Sequence, residues 1–549
     1  PATGFEPGPS TPKIRHAPKV DNRFLPRRRP SFIRWETKVT PIMTSATRAL
    51  QAAGQGQFEI EALLAALSSQ YTVVAGPKEF VRCVRLDTFD GRLGAAGLTL
   101  EHQIVAMEER LVLGRLDGSS TVVVPVKDLR WPALADVLPY GPVRDLIAPV
   151  SGVRALMVAS DENRRIQRLA LQNGQGKTVA RVELDEPVSA EAAPAQLKVH
   201  SLRGYDEQAR RADLLVEGLG LPIMEQGEKR DAVAAAPVFS PHREAPARVH
   251  LAAVLSDFLA AMRNNLPGLL EDVDSEFLHD FRVAVRRTRS TLKLGRPSLP
   301  DAMRLRWEPE FKLLGDMTTP LRDLDVYELD LPQMAGWLLS AAPADLEPLA
   351  AHLRHRRTAE RHTLEGLLRS ASFERLVADW EDELVHLADA PDDADQEQLS
   401  TGQLADRSIS RAYQRVARDG AAISGDSPAE DLHKLRKRCK ELRYALEVFA
   451  PVVAEGPRKR AVADLKGLQD VLGRFQDAEV QRHALRGFAE EMMTVGTTAG
   501  AMLAMGELIG HLEAAQDRAR PEFDIAFARF ARPSSLQLMH RLGDAEEAR

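Results

Sequence analysis

The chain has 549 residues, 44% hydrophobic and 28% charged, which is material for about three or four folded units. Its 73 basic and 79 acidic residues nearly balance, so whole-chain charge predicts no polyanionic partner, and any basic surface must be local. Two cysteines, Cys83 and Cys439, exclude a disulfide framework or a four-cysteine zinc site, and no apolar run approaches the roughly 18 residues that suggest a membrane span.

Residues 1–54 read as a disordered or non-native leader. Residues 1–42 are rich in proline and arginine, Arg27, Arg28 and Arg29 read as a solvated tail, and Met43 is a candidate true start. No apolar secretory segment is present at the N-terminus, so a cytoplasmic protein with no membrane partner is expected. Residues 55–225 look mixed. A helical stretch from Ile60 to Leu67 precedes alternating or β-branched runs at Tyr71–Val74, Val81–Leu86, Arg110–Leu116, Thr121–Val126, Val153–Val158, Arg165–Leu171 and Thr178–Leu184. Breakers such as Asp117-Gly118 and Asn173-Gly174 separate some of them, as hairpins require. An antiparallel, β-rich α+β domain is expected. Residues 226–248, polar and punctuated by Pro237, Pro241 and Pro246, read as a linker. From 249 to 532 helical periodicity takes over, and 533–549 reads as a frayed tail.

The helical half repeats itself. A shift of 154 residues lays Leu278-His279 on Leu432-His433, Arg282 on Arg436, Arg286 on Lys440 and Arg289 on Arg443. The same shift lays Pro297 on Pro451, Lys312 on Lys466, Asp316 on Asp470, Asp323 on Asp477 and Val326 on Val480. A weaker match at 159 pairs Ala351-His352-Leu353 with Gly510-His511-Leu512 and Arg361 with Arg520. Two homologous helical bundles in tandem are predicted, at about 249–395 and 400–532.

On the first repeated helix, His279, Arg282, Arg286, Arg289 and Lys293 fall within about 80° of one face. On the second, His433, Arg436, Lys437, Lys440, Arg443 and Tyr444 make a similar stripe, joined by one acid, Glu447. Like charges one turn apart destabilise a helix by a few tenths of a kcal/mol per pair. A solvated face neutralised by acids from other helices explains one such stripe. Two in the same register point to a polyanion. Neither histidine has a second His or a carboxylate at i+4, so no metal is expected.

At these residues a family becomes recognisable. His279-Asp280-Phe281-Arg282-Val283-Ala284-Val285-Arg286-Arg287-Thr288-Arg289 resembles the first signature helix of the CHAD family, the conserved-histidine α-helical domain. The run from Leu432 to Tyr444 resembles its second. Leu321-Arg322-Asp323-Leu324-Asp325-Val326 is similar to the family's R-D-x-D turn, whereas its counterpart Phe475-Gln476-Asp477-Ala478-Glu479-Val480 carries Gln476 in place of the arginine. The resemblance implies two pseudo-symmetric four-helix bundles around a basic groove that binds inorganic polyphosphate, with association with polyphosphate granules. The binding set it implies is His279, Arg282, Arg286, Arg289, Lys293, Lys312, Arg322, Arg354, Arg357, Arg361, His433, Arg436, Lys437, Lys440, Arg443, Tyr444, Lys466, Arg518 and Arg520.

The run from Arg85 to Leu93, followed by Ala96-Gly97-Leu98-Thr99-Leu100, resembles the strand and hairpin of the CYTH (triphosphate tunnel) family, which often precedes a CHAD domain. Active members need an E-x-E-x-K strand and an arginine after the equivalent of Leu100. Here Glu59-Ile60-Glu61 is followed by Leu63 within a helical pattern, and Glu101 stands at the arginine position. Arg165, Arg168, Lys177 and Arg181, with Glu183 and Asp185, read as remnants of a catalytically dead site.

The expectation is therefore a polyphosphate-binding protein without catalytic residues, cofactor or metal. The alternative is a metal-dependent triphosphatase acting through the N-terminal domain. Nucleic acid is disfavoured as a partner: aromatics are 5% of the chain, too few to suggest a stacking platform, and no helix-turn-helix or zinc pattern occurs. Oligomeric state is left open.

Overall fold

The computed structural model describes residues 48–50, 56–116, 121–188, 195–220, 242–389, 399–532, 535 and 537. The leader through residue 47, linker residues 226–241 and nearly all of the expected tail lie outside the described residues.

Eight antiparallel strands form one sheet: β1 (Arg48–Leu50), β2 (Thr72–Thr88), β3 (Leu98–Val105), β4 (Glu108–Arg115), β5 (Thr121–Val126), β6 (Leu156–Gln172), β7 (Thr178–Pro187) and β8 (Ala195–Ser201). Their spatial order is β1-β8-β7-β6-β2-β3-β4-β5. Two pairs of expected short strands are each one long strand. Tyr71–Val74 and Val81–Leu86 fall on β2, because the Gly76-Pro77 step that reads as a breaker is absorbed in a register shift between Ala75 and Lys78. Val153–Val158 and Arg165–Leu171 likewise fall largely on β6. The Asn173-Gly174 turn joins β6 to β7, with the Asn173 carboxamide oxygen accepting from the amides of Gln175 and Lys177 at 3.0 and 3.1 Å.

Four helices attend the sheet: α1 (Gly56–Ser68), α2 (Arg92–Ala95), α3 (Pro142–Ser151) and α4 (Asp206–Glu217). Glu59-Ile60-Glu61 lies within α1 and not on a strand. Leu63 and Leu67 of α1 and Ala212 and Val216 of α4 close one core against β6, β7 and β8. A second core gathers β2, β3 and β4 under α2 and α3. The Asp87-Thr88-Phe89-Asp90-Gly91 run serves this packing. Asp87 accepts from the amides of Thr88, Leu93 and Gly94, and Gly91 takes a left-handed φ of 69°.

The helical half runs α5 (Ala247–Leu270), α6 (Ser275–Leu294), α7 (Asp301–Met317), α8 (Thr319–Ala335), α9 (Glu347–Leu368), α10 (Ala371–Asp389), α11 (Thr401–Ala421), α12 (Ala429–Val448), α13 (Glu455–Val495) and α14 (Ala499–Phe530). The internal repeat is visible in these bounds. Helices α5 and α6 start 154 residues before α11 and α12, and α6 and α12 also end in register. Each repeat supplies four helical legs. In the second, the third and fourth legs are the continuous α13 and α14. In the first, the third leg is broken into α7 and α8 at Thr318, and the fourth into α9 and α10 at Arg369-Ser370. A large core joins α5, α6, α7 and α10 to the second repeat, and a smaller one packs α8 and α9 on the far ends of α13 and α14.

Sheet and helices meet at the start of α6. The Arg154 side chain, 1% exposed, donates to Asp274 at 3.2 Å and to Asp280, and lies over the ring of Phe277. Asp274 is also the N-cap of α6 and accepts from the amides of Glu276, Phe277 and, across the interface, Ala155. Phe89 packs on Phe277 with ring centroids 4.9 Å apart.

Candidate functional site

Helices α6 and α12 pack together, and one link between them is a hydrogen bond, 2.8 Å long, from Arg286 Nε to the Tyr444 hydroxyl. Arg286, Arg436 and Lys437 all raise the potential at Lys440. Among the described residues Lys440 has no ion-pair partner, and Asp477, which raises its pKa, is held at 3.0 Å by Arg436. Burial, then these like charges, push the ammonium down to about 8. Lys437, Lys293, Lys312, Lys466, Arg289 and Arg518 also lack an ion-pair partner among the described residues. Arg289 is half-buried with its guanidinium against Gly315.

The two histidines occupy matching places beside different neighbours. His279 is half-buried; burial and the adjacent Arg322 hold its pKa below the ordinary value. Its counterpart His433 has Nδ1 2.8 Å from Gln476 Oε1, and burial and Lys437 lower its pKa too. With the Gln476 oxygen accepting, Nδ1 carries the proton and Nε2 offers a lone pair. Both imidazoles are then predominantly neutral near pH 7, and a phosphate oxygen at Nε2 of His433 requires a second proton.

Arg282 is half-buried and turned toward the α7–α8 junction. One of its nitrogens donates to the Gly315 carbonyl and to the hydroxyls of Thr318 and Thr319 at 2.8–3.1 Å, which fastens α6 to the break between α7 and α8. Burial lowers its pKa to about 10. Arg322 donates to the Ser275 carbonyl at 3.1 Å and pairs with Glu276.

Other basic residues of the expected set are engaged elsewhere. Arg357 is held by Asp272 and Asp325, both at 2.7 Å, which drive its pKa further up. Arg361 pairs with Asp272 at 2.9 Å and donates to the Leu270 carbonyl. Arg354 pairs with Glu347 on its own helix, and Arg443 with Glu447. Arg520 donates to the carbonyls of Gly425 and Ser427 and lies over Phe475, fixing the loop before α12. The structure thus gathers His279, Arg282, Arg286, Arg322, His433, Arg436, Lys437, Lys440 and Tyr444 along α6, α12 and their neighbours.

Sequence reasoning passed over Arg287, which reaches from α6 to Glu447 of α12 at 3.0 Å. Its place beside Arg286 in the repeat was the available signal. No group of three His, Cys, Asp or Glu side chains among the described residues could hold a metal.

The family model of the CHAD domain matches residues 253–486. The helical half is similar to the CHAD domain over this range. The match takes in both signature helices and both turns that follow them. Among solved structures, the CHAD domain of the plant Ricinus communis is 24% identical, covering 53% of this chain and 93% of its own, with a TM-score of 0.45. PptA from Streptomyces chartreusis is 21% identical, covering 52% of this chain and 100% of its own, at 0.39. A Hippeastrum protein described as an adenylyl cyclase with a dominant triphosphatase activity is 14% identical, covering 35% of this chain and 94% of its own, at 0.24. No curated protein matches the chain.

In the N-terminal sheet Arg164, Arg165 and Arg168 are each met by carboxylates, whereas Arg181 has no ion-pair partner among the described residues. Arg164 pairs with Asp185 at 2.5 Å and Glu162 at 3.0 Å, and Arg168 with Glu79 and Glu183, both at 3.0 Å. Arg165 pairs with Glu186. Glu101 accepts from Gln103 and adds to the burial that pushes the Cys83 thiol up to about 12. Cys439 is buried, its thiol also raised to about 12, and both cysteines are free.

Proposed function

We propose that the helical half binds inorganic polyphosphate along the α6–α12 face, without catalysis. The observation that carries this reading is Lys440: a half-buried ammonium beside Arg286, Arg436 and Lys437, with no ion-pair partner among the described residues. For the isolated fold, placing Lys440 among these like charges is a net cost. A polyanion laid across it restores the charge of Lys440 and releases counterions at each phosphate contact. Tyr444 supports the same use, because a neutral phenol holds Arg286 in place without cancelling it. The expected association with polyphosphate granules follows from this reading.

The triphosphatase alternative asks the N-terminal arginines to receive phosphates. Arg164, Arg165 and Arg168 are already matched by carboxylates, and Glu101 adds a negative charge where that chemistry needs a cation.

The test is a titration with long-chain polyphosphate at two salt concentrations, comparing wild type with Arg286→Glu plus Lys440→Glu. Tight, salt-sensitive binding that the double variant loses supports the proposal. Equal and weak binding by both returns the two stripes to ordinary solvated faces.

A further inference from the structure

The end of the basic face nearest the sheet domain carries acids of its own. On α6, Glu276 and Asp280 flank His279 at i−3 and i+1, and both act on its imidazole against Arg322 and Arg286. Glu276 also draws on Arg322, 3.6 Å away. The second repeat is built otherwise. In the 154-residue register Glu276 corresponds to Glu430, but Asp280 corresponds to Lys434, so α12 supplies a cation where α6 has a carboxylate. A polyanion lying along both helices would meet an excess of acid at the α6 end, and like charges brought together cost affinity.

The sheet domain supplies the balancing cations. Arg154, between α3 and β6, donates to Asp280 through Nη2 and to Asp274 through Nη1. Arg92 of α2 places its Nη2 3.9 Å from one oxygen of Glu276, whose other oxygen faces Arg322. Its remaining nitrogens fix its aim: Nε donates to Asp90 and Nη1 to the Ser151 carbonyl, both at 2.8 Å. The two acids that flank His279 thus each have an arginine from the other domain. Arg154, 1% exposed, is out of reach of a ligand, so its charge acts only through the carboxylates it holds.

We propose that the sheet domain sets the charge of the polyphosphate face: Arg92 and Arg154 neutralise Glu276 and Asp280, and Arg322 and His279 are thereby left to the polyanion. The inference rests on the polyphosphate reading and gives the N-terminal domain a part in it that needs no catalysis. Arg92 and Arg154 are positioning residues, acting through α6 and not on the phosphates.

A double-mutant cycle on the full chain, titrated with long-chain polyphosphate at fixed salt, tests this. Arg92→Gln should weaken binding about threefold, the worth of one partly exposed ion pair. Glu276→Gln should tighten binding, since Arg322 loses its carboxylate. Arg92→Gln added to Glu276→Gln should then change affinity little, because the acid through which the arginine acts is gone. Arg154→Met alone and on Asp280→Asn reads the second pair in the same way, with a thermal melt of each variant to establish that it is folded. Should Arg92→Gln fail to fold, Arg92→Met, which keeps the aliphatic stem, supplies the cycle. An equal loss with and without the acid, as a direct phosphate contact or a general loosening would give, overturns the proposal. So does tight wild-type binding that Arg92→Gln leaves unmoved, a result that spares the polyphosphate reading. Weak binding by the wild type overturns that reading and this inference with it.

Discussion

The two repeats share a register and diverge in their outer legs. Helices α6 and α12 match end for end, whereas the legs that follow are continuous in the second repeat and twice broken in the first. What is held constant is the pair of helices carrying the basic face. What varies is the scaffolding behind it: Arg282 fastened to the break at Thr318 and a capped start to α6. Duplicated helices tolerate such divergence when their shared task lies on one face and their packing on the other.

That comparison can be broken most severely at Asp274. Its counterpart in the second repeat, Pro428, provides no side-chain cap. Asp274→Ala should destabilise the protein by about 3 kcal/mol, because it leaves Arg154 buried with one carboxylate fewer. Pro428→Ala should cost well under 1 kcal/mol. Urea melts of the two variants measure the difference. Next comes the double reversal Arg286→Glu plus Lys440→Glu, expected to weaken polyphosphate binding about a hundredfold or more and flatten its salt dependence. Gly420→Leu would give the second repeat the residue the first carries, and driving it into Phe527 should cost about 2–3 kcal/mol, seen as a lower Tm. The reverse change, Leu266→Gly, removes a partly exposed side chain and creates no collision.

A gentler effect comes from Lys440. Its native pKa of about 8 lies below the ordinary lysine value, so between the two the unfolded chain binds more protons and stability rises with pH. Polyphosphate favours the charged form, so its affinity should fall as pH rises through 8. Calorimetry near pH 8 in buffers of different ionisation enthalpy should register proton uptake on binding. Smallest of all, Gln476→Arg would restore at His433 the neighbour that His279 has in Arg322. Affinity should rise about threefold and the salt slope steepen by roughly 0.7–0.9, one further phosphate contact.

The helical architecture was legible because duplication prints itself on sequence: Leu278-His279 and Leu432-His433 align without a gap, and the helices containing them do too. The break at Arg369-Ser370 was not legible, since no glycine or proline stands there, whereas the one at Thr318 carried a signal that went unread in Pro320, the second residue of α8. In the sheet, Gly76-Pro77 reads as a strand boundary by every local rule, yet pairing with β6 on both sides carries β2 through it. The basic stripe was read from 3.6-residue spacing alone. Spacing could not show which arginines have carboxylate partners elsewhere in the fold. Arg357 looks as available in sequence as Arg286; only tertiary structure sets Asp272 and Asp325 against it and a phenol against the other.

Asp274 ties two events together. The carboxylate that satisfies the first amides of α6 is the one that receives Arg154 and the Ala155 amide from the sheet domain. Parting the domains would take Arg154 and the Ala155 amide from that carboxylate while leaving its bonds to the Glu276 and Phe277 amides, so the Ala155 amide serves as a reporter of domain separation. That amide should take up deuterium at the rate at which the two halves come apart, while the opening turns of α6 and α12 exchange by their own local fraying.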